Sequence, residues 1–121
     1  MKNYSEKLWQ LRQEIIADIK EVLVANKGEV KIPFFYDEDE IDDDIETLIE
    51  DEYDVQVGDK NNNLRLFCQN YCGVQYSVEV VAVHFDKRGN IICVTKSSNI
   101  VYIEDVTDLY ALADLYEALT K

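Results

Sequence analysis

VQYSVEVVAVHFDKRGNIICVT, residues 74–95, is the segment from which the architecture can be read. From Val78 to Phe85 every position is apolar except Glu79 and His84. Strict alternation places Val81, Val83 and Phe85 on one face and Val78, Val80 and Ala82 on the other. A strand apolar on both faces is central in its sheet and covered on both sides. Asp86-Lys87-Arg88-Gly89 then offers a type I turn with glycine at the left-handed position, a hairpin signal, and Ile91 to Thr95 returns.

Beyond the hairpin, Ser97-Ser98-Asn99 marks a turn and Ile100 to Ile103 the next strand. Leu109, Leu112, Ala113, Tyr116 and Leu119 recur at helical spacing, with Thr107 or Asp105 as the expected N-cap. Before it, Leu64 to Cys68 reads as a strand, Gly58 to Asn63 as a polar turn, and Tyr53, Val55 and Val57 as alternating strand positions. Glu29 to Tyr36 is expected to be one strand with Val30, Ile32 and Phe34 on a single face. Pro33 cannot donate to a ladder, so this strand belongs at an edge or carries a bulge. From Asn3 to Asn26, Leu8, Leu11, Ile15, Ile19, Val22 and Leu23 form the stripe of an amphipathic helix, widened by Trp9, Ile16 and Val24. Asn26-Lys27-Gly28 is its expected stop. The sequence therefore predicts an α+β fold over residues 1–121 as a single domain. An antiparallel sheet of about five or six strands carries the N- and C-terminal helices, and a short acidic helix follows the first strand.

The net charge is −13, from 25 acids and 12 bases. Twelve of the acids are Asp37, Glu38, Asp39, Glu40, Asp42, Asp43, Asp44, Glu46, Glu50, Asp51, Glu52 and Asp54, a segment with no base. The rest of the chain is close to neutral, which excludes a generally acidic surface. Within the segment Ile41, Ile45, Leu48 and Ile49 fall at helical spacing, and acids crowd the front, where the helix dipole favours them. A helix from about Glu38 to Asp51, docked by those four residues, is the expectation.

The calcium-loop pattern fails in two registers. Starting at Asp37 its fifth position is Ile41; starting at Asp42 its twelfth is Tyr53; no glycine serves the sharp turn in either. Cys68, Cys72, His84 and Cys93 are the soft-ligand set. If Asp86 and Asn90 flank the turn, Val83 faces Cys93 and His84 faces Ile92, so His84 and Cys93 point to opposite faces and one zinc ion does not reach both. No third group orients a cysteine–histidine nucleophile. The glycines are isolated, so no phosphate-cradling loop is expected, and without a basic stripe direct nucleic-acid binding is disfavoured. No cofactor is expected.

Three cysteines cannot form an even disulfide set, so reduced thiols in a cytoplasm are expected. The N-terminus has no apolar stretch for a secretory signal, and no run is long enough to span a bilayer. The leading expectation is a small soluble non-catalytic binding or regulatory module whose acidic segment meets a basic protein partner. The alternatives are a small enzyme or metal-binding protein using His84 and the cysteines, and a DNA-mimicking decoy of a DNA-binding protein.

Overall fold

In the computed structural model, which describes residues 3–121, strand β5 (Gln75–Phe85) is the axis of a five-stranded antiparallel sheet. Met1 and Lys2, part of the N-terminal reading, lie outside the described residues. On one edge β5 pairs with β6 (Ile91–Thr95), which pairs in turn with β7 (Ile100–Tyr102). On its opposite edge β5 meets two strands in succession. β4 (Arg65–Gln69) takes Gln75–Glu79, and β1 (Glu29–Lys31) takes Ala82–His84. The hairpin forms as its sequence demands: Gly89 has φ +83°, and the Asp86 carboxylate accepts from the backbone N–H of Arg88 and Asn90.

Helices α1 (Tyr4–Ala25) and α3 (Leu109–Leu119) cover one face of this sheet. Ile19 and Leu23 from α1 and Leu112, Leu115 and Leu119 from α3 meet Leu66, Cys68, Val80, Val83, Cys93 and Val101 in the main core. Each of the leucine, isoleucine and valine side chains contributes about 1.5–3 kcal/mol through burial. α3 is capped by Asp108, whose carboxylate accepts from the Tyr110 N–H, and neither Thr107 nor Asp105 serves. Asp105 is instead consumed by a 3-10 turn, Ile103–Asp105.

The simple alternation expected for β5 is broken by a bulge. Val80 lies opposite Thr95 and Ala82 opposite Val94, so Val81 is an extra residue. Past the bulge the faces exchange: Val78, Val80 and Val83 join the helical side, while Val81 and Ala82 together face the other way. Two adjacent residues thus present apolar surface to the second face, which needs a cover of its own.

That cover comes from residues 34–57. The expected Glu29–Tyr36 strand is split at Pro33, which lacks the N–H to continue the ladder. β1 stays in the main sheet, whereas β2 (Phe34–Tyr36) leaves it and pairs in parallel with β3 (Val55–Val57). Parallel neighbours require a crossover, and here it is the acidic segment with its helix α2 (Asp43–Glu50). The βαβ unit lays Phe34 and Leu48 onto Val81, Ala82 and Val94, with Tyr53 and Val55 at the rim. The chain therefore stacks two helices, a five-stranded sheet and an acidic βαβ layer.

Candidate interaction surface

The acidic segment is not one helix. Asp37 caps a 3-10 turn, Glu38–Glu40, by accepting from the Asp39 N–H at 3.2 Å. Ile41 and Asp42 are then extended, and Asp42 caps α2 through the Ile45 N–H at 2.9 Å. The eight-residue α2 ends at Glu50, and two residues on Glu52, with φ +63°, lets Tyr53 N–H reach back to the Leu48 carbonyl. An uninterrupted helix over 38–51 is ruled out by this geometry, because Asp42 gives up helical dihedrals to act as cap.

The four expected docking residues divide accordingly. Ile45 and Leu48 are buried, at 4% and 0% exposure, Leu48 against the sheet and Ile45 beside the cleft described below. Ile41 and Ile49 are 48% and 49% exposed. Ile41 sits in the extended link ahead of α2 and so is off its face, while Ile49 lies at the outer flank of a helix with two buried positions.

The acids also divide. Glu40 pairs with Lys60 at 2.6 Å, Asp42 with Lys96 at 3.5 Å, and Asp54 accepts from the Gln56 amide at 2.9 Å. The first two pairs, together with Arg65–Glu79 at 3.0 Å, line a cleft of about 290 Å³ between the acidic layer and the sheet. These are the three ion pairs found among the described residues, and all of them face this inner seam. Such solvent-screened pairs add little stability, so they align the layer while Leu48 and Phe34 hold it. Lys31 adds a hydrogen bond from Nζ to the Glu52 carbonyl at 2.7 Å. Glu38, Asp39, Asp43, Asp44, Glu46, Glu50, Asp51 and Glu52 are all exposed, and among the described residues their carboxylates have no side-chain partner. Lys60 and Lys96 are thus spent on Glu40 and Asp42 at the seam, and these eight carboxylates are left without a cation.

The bond from the Ile45 N–H, opposed by some desolvation and aided by Lys96, holds the Asp42 carboxyl below its ordinary value of 3.8. Its contribution is therefore complete above the ordinary carboxylate range and is lost as pH falls through the lowered value. Asp42→Ala is expected to cost about 1 kcal/mol, as lost N-caps do. Asp42→Asn keeps an acceptor for Ile45, costs less, and removes this group's share of the acid dependence. Urea unfolding at neutral pH and along an acid series measures both effects; equal costs for Ala and Asn would show that the cap contributes nothing.

The edge of β2 is closed by a residue that reads in sequence only as part of a turn. Asn63 accepts from Phe35 N–H through Oδ1 at 2.6 Å and donates through Nδ2 to the Phe35 carbonyl at 2.9 Å. Its amide imitates a neighbouring strand and satisfies backbone groups that would otherwise offer an edge. Lys60, Lys96 and Asn63 carry no periodic signal, so sequence reading had no means of joining them to the segment.

The soft-ligand set is dispersed. Val83 does face Cys93 and His84 does face Ile92, as the hairpin arithmetic requires. Cys68 and Cys93 are buried on the helical side, and Cys72 is exposed in the β4–β5 turn. Burial, with a smaller effect of Cys68, pushes the Cys93 thiol up to about 12, so it stays protonated and unreactive at neutral pH. The His84 ring hydrogen-bonds through Nδ1 to the Phe85 carbonyl at 2.8 Å. Among the described residues no three His, Cys, Asp or Glu side chains converge to hold a metal ion. No described helix is long and apolar enough to cross a membrane. Compared with protein-family models, with curated proteins and with solved structures, the chain matches none.

Proposed function

We propose that the chain is a non-catalytic binding module whose acidic βαβ layer captures a basic protein surface. The observation that carries this reading is the sorting of charge. Besides Asp37, which caps a turn, eight exposed carboxylates accept no hydrogen bond and form no ion pair among the described residues, while the layer's own ion pairs line the seam. Like charges gathered on one face repel, and a cationic partner relieves that repulsion while being steered to the site. Ile41 and Ile49 stand half-exposed within the same segment, so the complementary surface is cationic with apolar side chains among the charges. Reduced cysteines suit a cytoplasmic setting for such a module.

The test is a pull-down with partner identification at rising salt. It compares the wild type with a variant carrying Asn or Gln at the eight carboxylate positions. A partner held at low salt is expected to be released as the Debye length shrinks toward about 3 Å near 1 M. The neutralised variant is expected to capture it at least about tenfold less well, since each exposed ion pair with the partner supplies up to roughly 1 kcal/mol. Undiminished capture by a neutralised variant that keeps its fold would eliminate the proposal.

A further inference from the structure

Helix α1 extends for 22 residues, but its fully buried side chains, Ile19 and Leu23, lie in its second half. Every residue from Tyr4 to Leu11 is exposed, including Tyr4 (65%), Leu8 (53%), Trp9 (62%) and Leu11 (44%). Two turns that bury nothing are marginal in water, since helices draw most of their stability from packing. The exposed residues are also ordered: Tyr4, Leu8, Leu11 and the half-buried Ile15 are spaced by four, three and four. That is the seam spacing of a coiled coil.

The charges beside this seam identify what covers it. The chain carries −13, yet between Tyr4 and Ile15 the charged residues are Glu6, Lys7, Arg12 and Glu14, which balance. The acidic layer lies across the sheet from α1, so two copies meeting through α1 keep their acidic faces apart. Lys7 and Glu14 are one heptad apart on the same flank, and neither has an ion pair among the described residues. An antiparallel pairing sets Tyr4 against the second copy's Ile15 and Leu8 against its Leu11. It places Lys7 beside the second copy's Glu14, and the two-fold repeats the contact. A parallel pairing would instead leave Lys7 and Glu14 without each other across the seam, and the Arg12 guanidinium on the facing flank is already engaged with carbonyls of its own chain. We propose that α1 forms an antiparallel two-fold dimer through Tyr4, Leu8, Leu11 and Ile15, with reciprocal Lys7–Glu14 pairs fixing its direction.

The dimer shows two acidic layers to the outside and raises the avidity for a partner with two basic sites. It does not depend on the proposed capture of a basic surface, and salt separates the two. Raised salt weakens charge-driven capture, whereas an apolar seam between two negatively charged copies persists.

Sedimentation equilibrium of the full chain over a concentration series is the test, with circular dichroism to confirm folding. The wild type is expected to reach dimer mass. Leu8→Gln with Leu11→Gln, both at exposed positions, is expected to weaken association at least about 100-fold, because the seam loses its apolar area. Lys7→Glu or Glu14→Lys alone turns both ion pairs into like-charge contacts and weakens it by roughly tenfold. The double reversal, Lys7→Glu with Glu14→Lys, restores it. Trp9→Gln, equally exposed but off the seam, leaves the dimer intact. A wild type that stays monomeric, a dimer that survives the Leu8 and Leu11 changes, or a double reversal as weak as its single parents would overturn the assignment.

Discussion

Phe34→Ala is expected to destabilise the protein by about 4 kcal/mol, within the range for a buried phenylalanine cut back to alanine. Phe34 is 2% exposed and begins β2 immediately after the proline that takes the chain off the main sheet. It lands on the paired Val81 and Ala82 that the bulge presents, next to Leu48. Leu48→Ala removes the other side of the same contact and is expected to cost about 3 kcal/mol. The two share one small core, so the double variant should lose less than the sum of its parents. Ile49→Ala, one residue along the same helix but half exposed, should stay within roughly 1 kcal/mol. Urea unfolding of the four variants measures the set. Equal small effects at Leu48 and Ile49 would mean that α2 does not rest on the sheet.

Arg12→Ala is expected to cost about 3 kcal/mol, and on the opposite face. The Arg12 guanidinium reaches from α1 to the carbonyls of Ile103, Glu104 and Val106, at the turn that leads into α3. One planar cation thereby gathers three carbonyls of this turn, of which that of Ile103 also accepts from the Val106 N–H, and hydrogen bonds to a charged donor are the stronger kind. The Glu104 contact is exposed, so the total falls well below three full bonds. Lysine carries the charge without the fork, and Arg12→Lys should recover less than half of the loss. Full recovery by lysine would show that charge near the turn matters and that the three-carbonyl geometry does not.

The sheet was legible because its central hairpin follows rules that act within a few residues. Val78 to Phe85 declares burial on both faces, Asp86 to Gly89 declares the turn, and together they fix which residue of β6 faces which of β5. The bulge at Val81 was not legible, since no residue there differs in type from its neighbours. Its cause lies in the second face, which requires two adjacent apolar residues under Phe34 and Leu48. Pro33 announced a break in the ladder, but where the chain went next depended on β3, which begins only at Val55. Once β2 and β3 are known to be parallel, the acidic stretch becomes their obligatory crossover, which explains why it carries Ile45 and Leu48 at all. The charge sorting was half legible. Twelve acids without a base are plain in the sequence, whereas the inward pairing through Lys60 and Lys96 is made by residues from distant turns. Leu8 and Leu11 belong to an apolar stripe that sequence reading takes as one continuous core face. The structure divides that stripe between a packed half and a free half.

Native-state hydrogen exchange of the acidic layer bears on its docking without any substitution. The N–H groups to follow are those of Phe34, bonded to the Asp54 carbonyl at 2.8 Å, Gly58, bonded to Tyr36 at 3.0 Å, and Asp51, bonded to Thr47 at 2.9 Å. If the βαβ unit is a packed layer, all three are slowed by orders of magnitude relative to unstructured peptide. They should also open as one cooperative unit, whose opening becomes easier in Leu48→Ala. Exchange of these three at unprotected rates, with β5 still protected, would mean that the acidic segment is an open loop and that nothing covers the second face of the sheet.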